Sequence, residues 1–184
     1  MKDAINKPTE QSENEYAVQQ AGCRFEYVSP IGKMIGYASD KLEKLYFASG
    51  DEILSGGGVF CQTNEYNYTA KLTVSWLDIY FSGRNPDFEV PVRLSGTAFQ
   101  LEVWEMLRDI PYGQTVTYGE IAEKIAQKHG IKRMSAQAVG GAVGGNQVNI
   151  IVPCHRVVGK NGSLVGFAGG IERKRYLLLS EGAL

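Results

Sequence analysis

Residues Val152–Val158 read V-P-C-H-R-V-V, a cysteine followed at once by histidine and arginine, with apolar residues on either side. A thiol must lose its proton to become a strong nucleophile, and an adjacent imidazole and guanidinium both favour the thiolate. Neighbouring side chains of an extended chain point to opposite faces, so Cys154 and His155 are expected not to touch directly. A second reading stands beside this one: an inert cysteine buried in an apolar strand. The company the motif keeps decides between them.

Working outward, Val148–Val152 predicts an apolar strand, preceded by Asn146. Before it, Ser135–Gly144 (S-A-Q-A-V-G-G-A-V-G) predicts a helix with almost no bulk. A helix of alanine and glycine is intrinsically weak, so its small size must serve close approach to something. A helix over Thr117–Gln127, bearing Lys124 with Lys128 just beyond it, precedes this one, and two helices joined by a short connection resemble a helix-turn-helix. Close helix packing explains the same residues equally well. Further upstream Phe99, Val103, Met106, Leu107 and Ile110 lie on one helical face, with Ser95 or Thr97 as N-cap, and Ile110-Pro111-Tyr112-Gly113 ends that helix. Downstream, the glycine-rich loop Gly159–Gly170 leads into a last helix from Ile171 to Glu181. Glu181 follows Leu177 and Leu178 by four and three residues, so its carboxylate shares their face. Buried there it needs a partner, for which His155 is the candidate; at a frayed terminus it would lie in water.

The first half reads differently. Strands over Arg24–Val28, Lys33–Ala38 and Lys44–Ala48, with turns at Ser29-Pro30-Ile31-Gly32 and Ser39-Asp40, form an antiparallel meander. Gly56-Gly57-Gly58 is a loop, and without a following Lys-Ser/Thr it is not a phosphate loop. Tyr68, Leu72, Trp76, Ile79 and Tyr80 recur at helical spacing over 64–82, an aromatic stripe read as core packing against the sheet. Gly83–Leu94, with two prolines, reads as a linker. The expectation is an α+β chain with a mobile extension at 1–20, an N-terminal structural domain at 21–92 and a C-terminal domain at 93–184.

A chain of 184 residues, 43% hydrophobic and 21% charged, can bury a real core. It has no apolar run near the roughly 20 residues that span a membrane, and its polar N-terminus is no secretory signal. Three cysteines (Cys23, Cys61, Cys154) without an export segment predict free thiols in a reducing, cytoplasmic setting. His129 and His155 are the only histidines and no CxxC pair occurs, so no metal is expected. The net charge of −1 divides into −5 over residues 1–92 and +4 over 93–184, which permits a phosphate-binding surface on the second half.

Together, G-T-A-F-Q-L-E-V-W (96–104), I-P-Y-G-Q-T-V-T-Y (110–118), A-V-G-G-A (138–142), Asn146, I-V-P-C-H-R-V-V (151–158), F-A-G-G (167–170) and K-R-Y-L-L-L-S-E (174–181) resemble the O6-alkylguanine-DNA alkyltransferases. S-P-I-G-K (29–33) is a looser match to that family's smaller, ribonuclease H-like sheet domain. The resemblance implies single-turnover transfer of an alkyl group from O6 of guanine, with O4 of thymine a second candidate, onto Cys154. It makes His155 the base, Glu181 the residue that orients it, Asn146 the brace of the helix-turn-helix and Tyr118 a proton donor toward guanine N3. A water between Cys154 and His155 would relay the proton.

The same resemblance implies that the target base is extruded from the duplex and that the bare helix enters the minor groove. Thr117, Arg133, Ala136, Gln137, Ala138, Gly140, Gly141 and Arg156 would meet DNA, and Val143, Val157, Phe167, Ala168 and Gly169 would line the alkyl pocket. Alkylated double-stranded DNA is the implied partner of a monomer that needs no cofactor. Three positions and one connection depart from the family pattern. Gln137 replaces an arginine finger, Gln147 a proline and Phe167 a tyrosine, and the connection 127–134 is about five residues longer, bringing Lys132 and Arg133 toward the DNA. Two other classes are weighed against this reading: alkyltransferase-like proteins, which bind without an acceptor cysteine, and cysteine hydrolases, which turn over.

Overall fold

The computed structural model describes residues 22–49 and 67–184. The expected extension at 1–20, the Gly56–Gly58 loop, Cys61 and the first residues of the 64–82 helix lie outside them. Strands β1 (Cys23–Ser29), β2 (Gly32–Ala38) and β3 (Leu42–Phe47) form an antiparallel meander, β1 pairing with β2 from Cys23↔Ala38 to Ser29↔Gly32. The tight turn is held by Ser29 Oγ, which donates to the Gly32 carbonyl at 2.6 Å and accepts from the Ile31 amide at 3.3 Å. Gly36 has to be glycine because the Phe25 ring lies where a Cβ would stand.

Helix α1 (Tyr68–Phe81) covers one face of the sheet. Asn67 both starts and anchors it: Oδ1 accepts from the Ala70 amide at 2.9 Å, while Nδ2 donates to the carbonyls of Ala38 (3.2 Å) and Ser39 (3.1 Å). Thr69 Oγ1 adds a bond to the Asp40 carbonyl at 3.0 Å. The segment read as a linker is strapped to β3 instead of running free. Leu42 donates to Pro91 O and Arg93 to Leu42 O, both at 2.8 Å, and the Arg93 guanidinium grips Asp40 and Glu43. Further along the same strand, Leu45 donates to Gln147 O at 2.8 Å and accepts from Asn149 N at 2.7 Å. The outer edge of β3 is thus occupied by the second half of the chain, which removes an exposed sheet edge.

That second half holds α2 (Ala98–Arg108), α3 (Tyr118–Lys128), α4 (Ala136–Gly144) and α5 (Ile171–Ser180), with a short parallel pair β4 (Val116–Thr117) and β5 (Val157–Val158). Thr97 and Thr117 cap α2 and α3 in reciprocal boxes with Gln100 and Glu120, and Ser135 caps α4. Trp104 of α2, 1% exposed, donates its indole N–H to the Ala142 carbonyl at 2.8 Å, tying α2 to α4. Apolar residues from both halves join in one continuous core.

Two expectations fail here. Val148–Val152 is not a strand but a tight loop in which Ile150 adopts φ +72°, a conformation that costs a β-branched residue about 1–3 kcal/mol. Asn146 imposes it: its Oδ1 accepts from Val148 N at 3.0 Å and its Nδ2 donates to Val152 O at 2.8 Å, replacing ladder bonds by side-chain ones. The thiols are not all free either, since Cys23 is disulfide-bonded while Cys154 is free and buried. An odd cysteine count leaves room for one bridge. Among the described residues no helix is long and apolar enough to cross a membrane.

Asn67→Ala removes a cap and two carbonyl partners together, so unfolding free energy should fall by about 2–3 kcal/mol in urea titrations. A loss below about 0.5 kcal/mol would remove Asn67 as the anchor of α1.

Candidate active site

The Asn146-sealed loop delivers the chain into a single 3₁₀ turn, Cys154–Arg156, not the extended segment expected. All three side chains are buried, at 4%, 0% and 8% exposure. The C-terminal end of α5 brings Glu181 to meet them as that helix's C-cap residue. His155 Nε2 lies 2.8 Å from Glu181 Oε1. Arg156 clamps the same carboxylate through Nε to Oε2 (2.8 Å) and Nη2 to Oε1 (3.1 Å), and sends Nη1 to the Ile110 carbonyl at 2.6 Å. The Gly113 amide donates to Oε2 at 3.2 Å and the Tyr80 hydroxyl to Oε1 at 2.6 Å. Gly113, at φ +76°, lies so close to Glu181 that a Cβ would stand 2.9 Å from its carbonyl oxygen, which is why the turn after Pro111 ends in glycine.

These bonds fix the electrostatics. Burial alone would raise the Glu181 carboxyl, but the hydrogen bonds from His155 and Arg156 outweigh it and hold the group down at about 2. Burial depresses the His155 imidazole despite Glu181, so the ring stays neutral. Facing an ionised carboxylate, Nε2 carries the proton, which leaves Nδ1 as the lone-pair nitrogen. Nδ1 is buried and makes no hydrogen bond among the described residues.

Burial pushes the Cys154 thiol up, against smaller opposing effects of Asn146 and Lys174. The neighbours were expected to favour the thiolate, but the imidazole is uncharged and the guanidinium is engaged with Glu181. Activation therefore falls to a base. Cys154 Sγ also faces Asn149 Oδ1 at 3.9 Å.

Lys174, fully buried, donates Nζ to the carbonyls of Val157 (2.6 Å) and Val165 (2.7 Å), and burial lowers it to about 8. Tyr118 donates to the carbonyls of Val165 and Gly166 at 3.2 and 3.1 Å, and burial together with nearby Cys154 raises its phenol, so it stays protonated.

Tyr118 also lines a cleft of about 750 Å³ with Thr117, Gly119, Ala136, Gln137, Gly140, Lys160, Asn161, Val165 and Gly166. A second groove of about 680 Å³ lies on the other side of the α4 N-terminus, between α3 and the segment Lys132–Gln137. Exposed Gln137 contributes to both. On α4, Val139, Ala142 and Val143 face inward, while Ala136, Gln137, Ala138, Gly141 and Gly144 are exposed. Among the described residues a Cβ added at Gly141 or Gly144 would meet nothing within 4 Å, so their packing does not require glycine at either position.

Several expected site residues fall elsewhere. Arg156 is turned inward onto Glu181 and Ile110, and is no surface contact for a partner. Val143 and Val157 are core residues at 3% and 0% exposure. Phe167 packs edge-on against Phe47 at 6.5 Å and covers Gly169, and Ala168 beside it is exposed. Neither these five nor Cys154 is among the residues lining the cleft: Val143, Val157 and Gly169 are buried, Phe167 packs beside β3, and Ala168 is exposed apart from it. The sequence reading passed over Tyr80 and Lys174. For Lys174 a signal existed, since positions 174, 178 and 181 lie on one helical face. For the Tyr80 hydroxyl there was none.

The chain is similar to known proteins. The family described as 6-O-methylguanine DNA methyltransferase, DNA binding domain, matches residues 98–183. The methylated-DNA–protein-cysteine methyltransferase of Haemophilus influenzae is 37% identical over 156 residues, 84% of this chain and 83% of that protein. The inducible enzyme of Bacillus subtilis is 52% identical over 99 residues, 54% of this chain and about half (52%) of its own length. The crystal structure of Mycobacterium tuberculosis OGT in complex with DNA superposes with a TM-score of 0.68 at 38% identity, covering 86% of this chain and 91% of that one.

Glu181 ionises more readily in the folded protein than in the unfolded chain, so its stabilising effect is full above pH 4.5 and is lost as pH falls toward about 2. His155, kept neutral by burial, changes stability in the same sense below the ordinary histidine range. Glu181→Gln should flatten the acid limb of stability against pH, and Glu181→Ala, which strands Arg156, should cost about 3–5 kcal/mol at neutral pH. An unaltered acid limb in Glu181→Gln would contradict this assignment.

Proposed function

The chain belongs to the methylated-DNA–protein-cysteine methyltransferase family, and on that premise we propose that it repairs alkylated double-stranded DNA by moving the alkyl group from O6 of guanine onto Cys154. The observation that carries this reading is the His155 ring, whose Nε2–H is fixed on ionised Glu181 while Nδ1, on the residue next to the thiol, has no partner among the described residues. Through one water, Nδ1 takes the thiol proton and the imidazolium is held by Glu181. The sulfur attacks the alkyl carbon in line, the new S–C bond forms, and the C–O6 bond breaks with its electron pair passing to the guanine. Tyr118 supplies a proton to N3 of the departing base. The product is a thioether, which has no leaving group that water can displace, so each molecule reacts once. O4 of thymine offers the same chemistry.

The thin helix supports DNA as the partner. Glycine costs a helix about 1 kcal/mol relative to alanine, and the space around Gly141 and Gly144 lies outside the protein. We read α3 and α4 as a helix-turn-helix braced by Asn146, with α4 in the minor groove. Thr117, Arg133, Ala136, Gln137, Ala138, Gly140 and Gly141 then face the duplex, and the cleft beside Tyr118 receives the extruded base. Residues 93–184 carry binding and transfer in this reading, and the sheet with α1 is the ribonuclease H-like structural lobe of a monomer. Neither metal nor organic cofactor enters the chemistry.

Incubation with duplex DNA containing O6-methylguanine should add one methyl group per protein, on the peptide containing Cys154, and Cys154→Ala should abolish it. Unrepaired DNA with the intact protein, or several products per molecule, would overturn the proposal, the latter in favour of a turnover enzyme. Gln137 is shorter than the arginine it replaces and uncharged. Gln137→Arg should therefore tighten duplex binding or speed repair, and equal or slower kinetics would refute that account.

A further inference from the structure

Tyr80 belongs to α1 and precedes the 83–94 strap in the chain, whereas every other donor to Glu181 follows it. It is 1% exposed, and its ring is locked by stacking on Trp76 (5.3 Å between centroids, 10° between planes) and by edge contacts with Phe81 (5.4 Å), Tyr112 (6.0 Å) and His155 (6.4 Å). Packing accounts for the ring alone. The hydroxyl is a separate matter: it donates to Glu181 Oε1 at 2.6 Å and stands 3.3 Å from His155 Nε2. A phenylalanine would fill the same space without putting a polar atom in the core, where a hydroxyl has to find a partner.

We infer that Tyr80 is a positioning residue for alkyl transfer, its hydroxyl fixing Glu181 and thereby holding the His155 ring with Nε2 on the carboxylate and Nδ1 free for the thiol proton. The inference rests on the proposed chemistry of Cys154. Oε1 receives three donors, from Tyr80, His155 Nε2 and Arg156 Nη2. Tyr80 competes with the imidazole N–H for one oxygen, and so moderates how strongly Glu181 raises the basicity of the ring. It also places an O–H, not empty space, beside Nε2, which opposes rotation of the ring. The charged and titratable groups facing the hydroxyl are Glu181, His155 and Arg156, with Tyr112 against its ring. The lobe remote from DNA in the proposed mode therefore contributes to the proton relay of the other.

The test is Tyr80→Phe in the full-length protein. Single-turnover transfer from O6-methylguanine duplex should slow about tenfold, the scale expected for one hydrogen bond to a charged group. Affinity for unmodified duplex should stay within about twofold, since no DNA-facing residue changes. Without the Tyr80 donor Oε1 is more basic and the imidazole holds its proton more tightly, so the acid limb of the pH–rate profile should move to higher pH. Nitrogen-15 shifts of His155 should report loss of the single Nε2–H tautomer. A purely structural role lowers the melting temperature and leaves the acid limb and the tautomer unchanged, and that result overturns the inference. If Tyr80→Phe does not fold, 3,5-difluorotyrosine at position 80 keeps ring and hydroxyl while making the phenol a stronger donor. The acid limb should then move to lower pH, and an unmoved limb is again decisive against Tyr80. Wild-type protein that transfers nothing would instead defeat the function itself.

Discussion

One buried carboxylate organises the second half of this protein. Glu181 accepts hydrogen bonds from Tyr80, His155, the Gly113 amide and two nitrogens of Arg156. A charge out of water is expensive unless its acceptor sites are filled, and here donors from α1, the turn after α2 and the 3₁₀ turn all converge on the end of α5. Each of those elements is thereby fixed relative to the others. The same bonds decide the chemistry, because an ionised Glu181 sets which imidazole nitrogen is protonated and which is free. Stability and reactivity share one set of contacts.

The two halves are joined elsewhere by backbone as well. At Leu42 and Leu45, β3 exchanges hydrogen bonds with the Pro91–Arg93 strap and with residues 147–149 of the loop that carries the thiol forward. That loop holds Ile150 in a strained conformation. Such strain persists only where the surroundings over-determine it, and Asn146 with the edge of β3 supplies the determination. The position of Cys154 is thus set partly by a sheet whose own residues take no part in the transfer.

Much of the architecture was legible because local chemistry and tertiary context agree. Ser29 to Gly32 and Ser39-Asp40 mark the meander's turns, Thr97, Thr117 and Ser135 mark helix starts, and the Leu177–Leu178–Glu181 spacing put a carboxylate on a buried face opposite His155. The misreadings also have definite causes. Val148–Val152 carries a strand's composition, and nothing in apolar patterning reveals that the side chain of Asn146 will take over its backbone bonds. Arg156 and Val157 were assigned to surface and pocket by correspondence, whereas burial is a property of the assembled core. The aromatic stripe of α1 was read as packing, which holds for buried Tyr80 and for half-buried Leu72 and Trp76, whereas Tyr68 at its head is exposed; helical spacing says where a ring lies and nothing about what a phenol at its tip will meet. The influence of the thiol's neighbours was misjudged because adjacency in sequence was taken as electrostatic proximity, while the guanidinium had a stronger claimant.

The depth of Cys154 has a consequence for the working life of the molecule. Peroxides and soluble electrophiles attack the thiolate form of cysteine at accessible sites. This sulfur is 4% exposed and held in its protonated form by burial. A protein with only one shot has no way to recover a sulfur lost to a stray oxidant. A sulfur kept buried and protonated is a poor target for reagents that need an accessible thiolate.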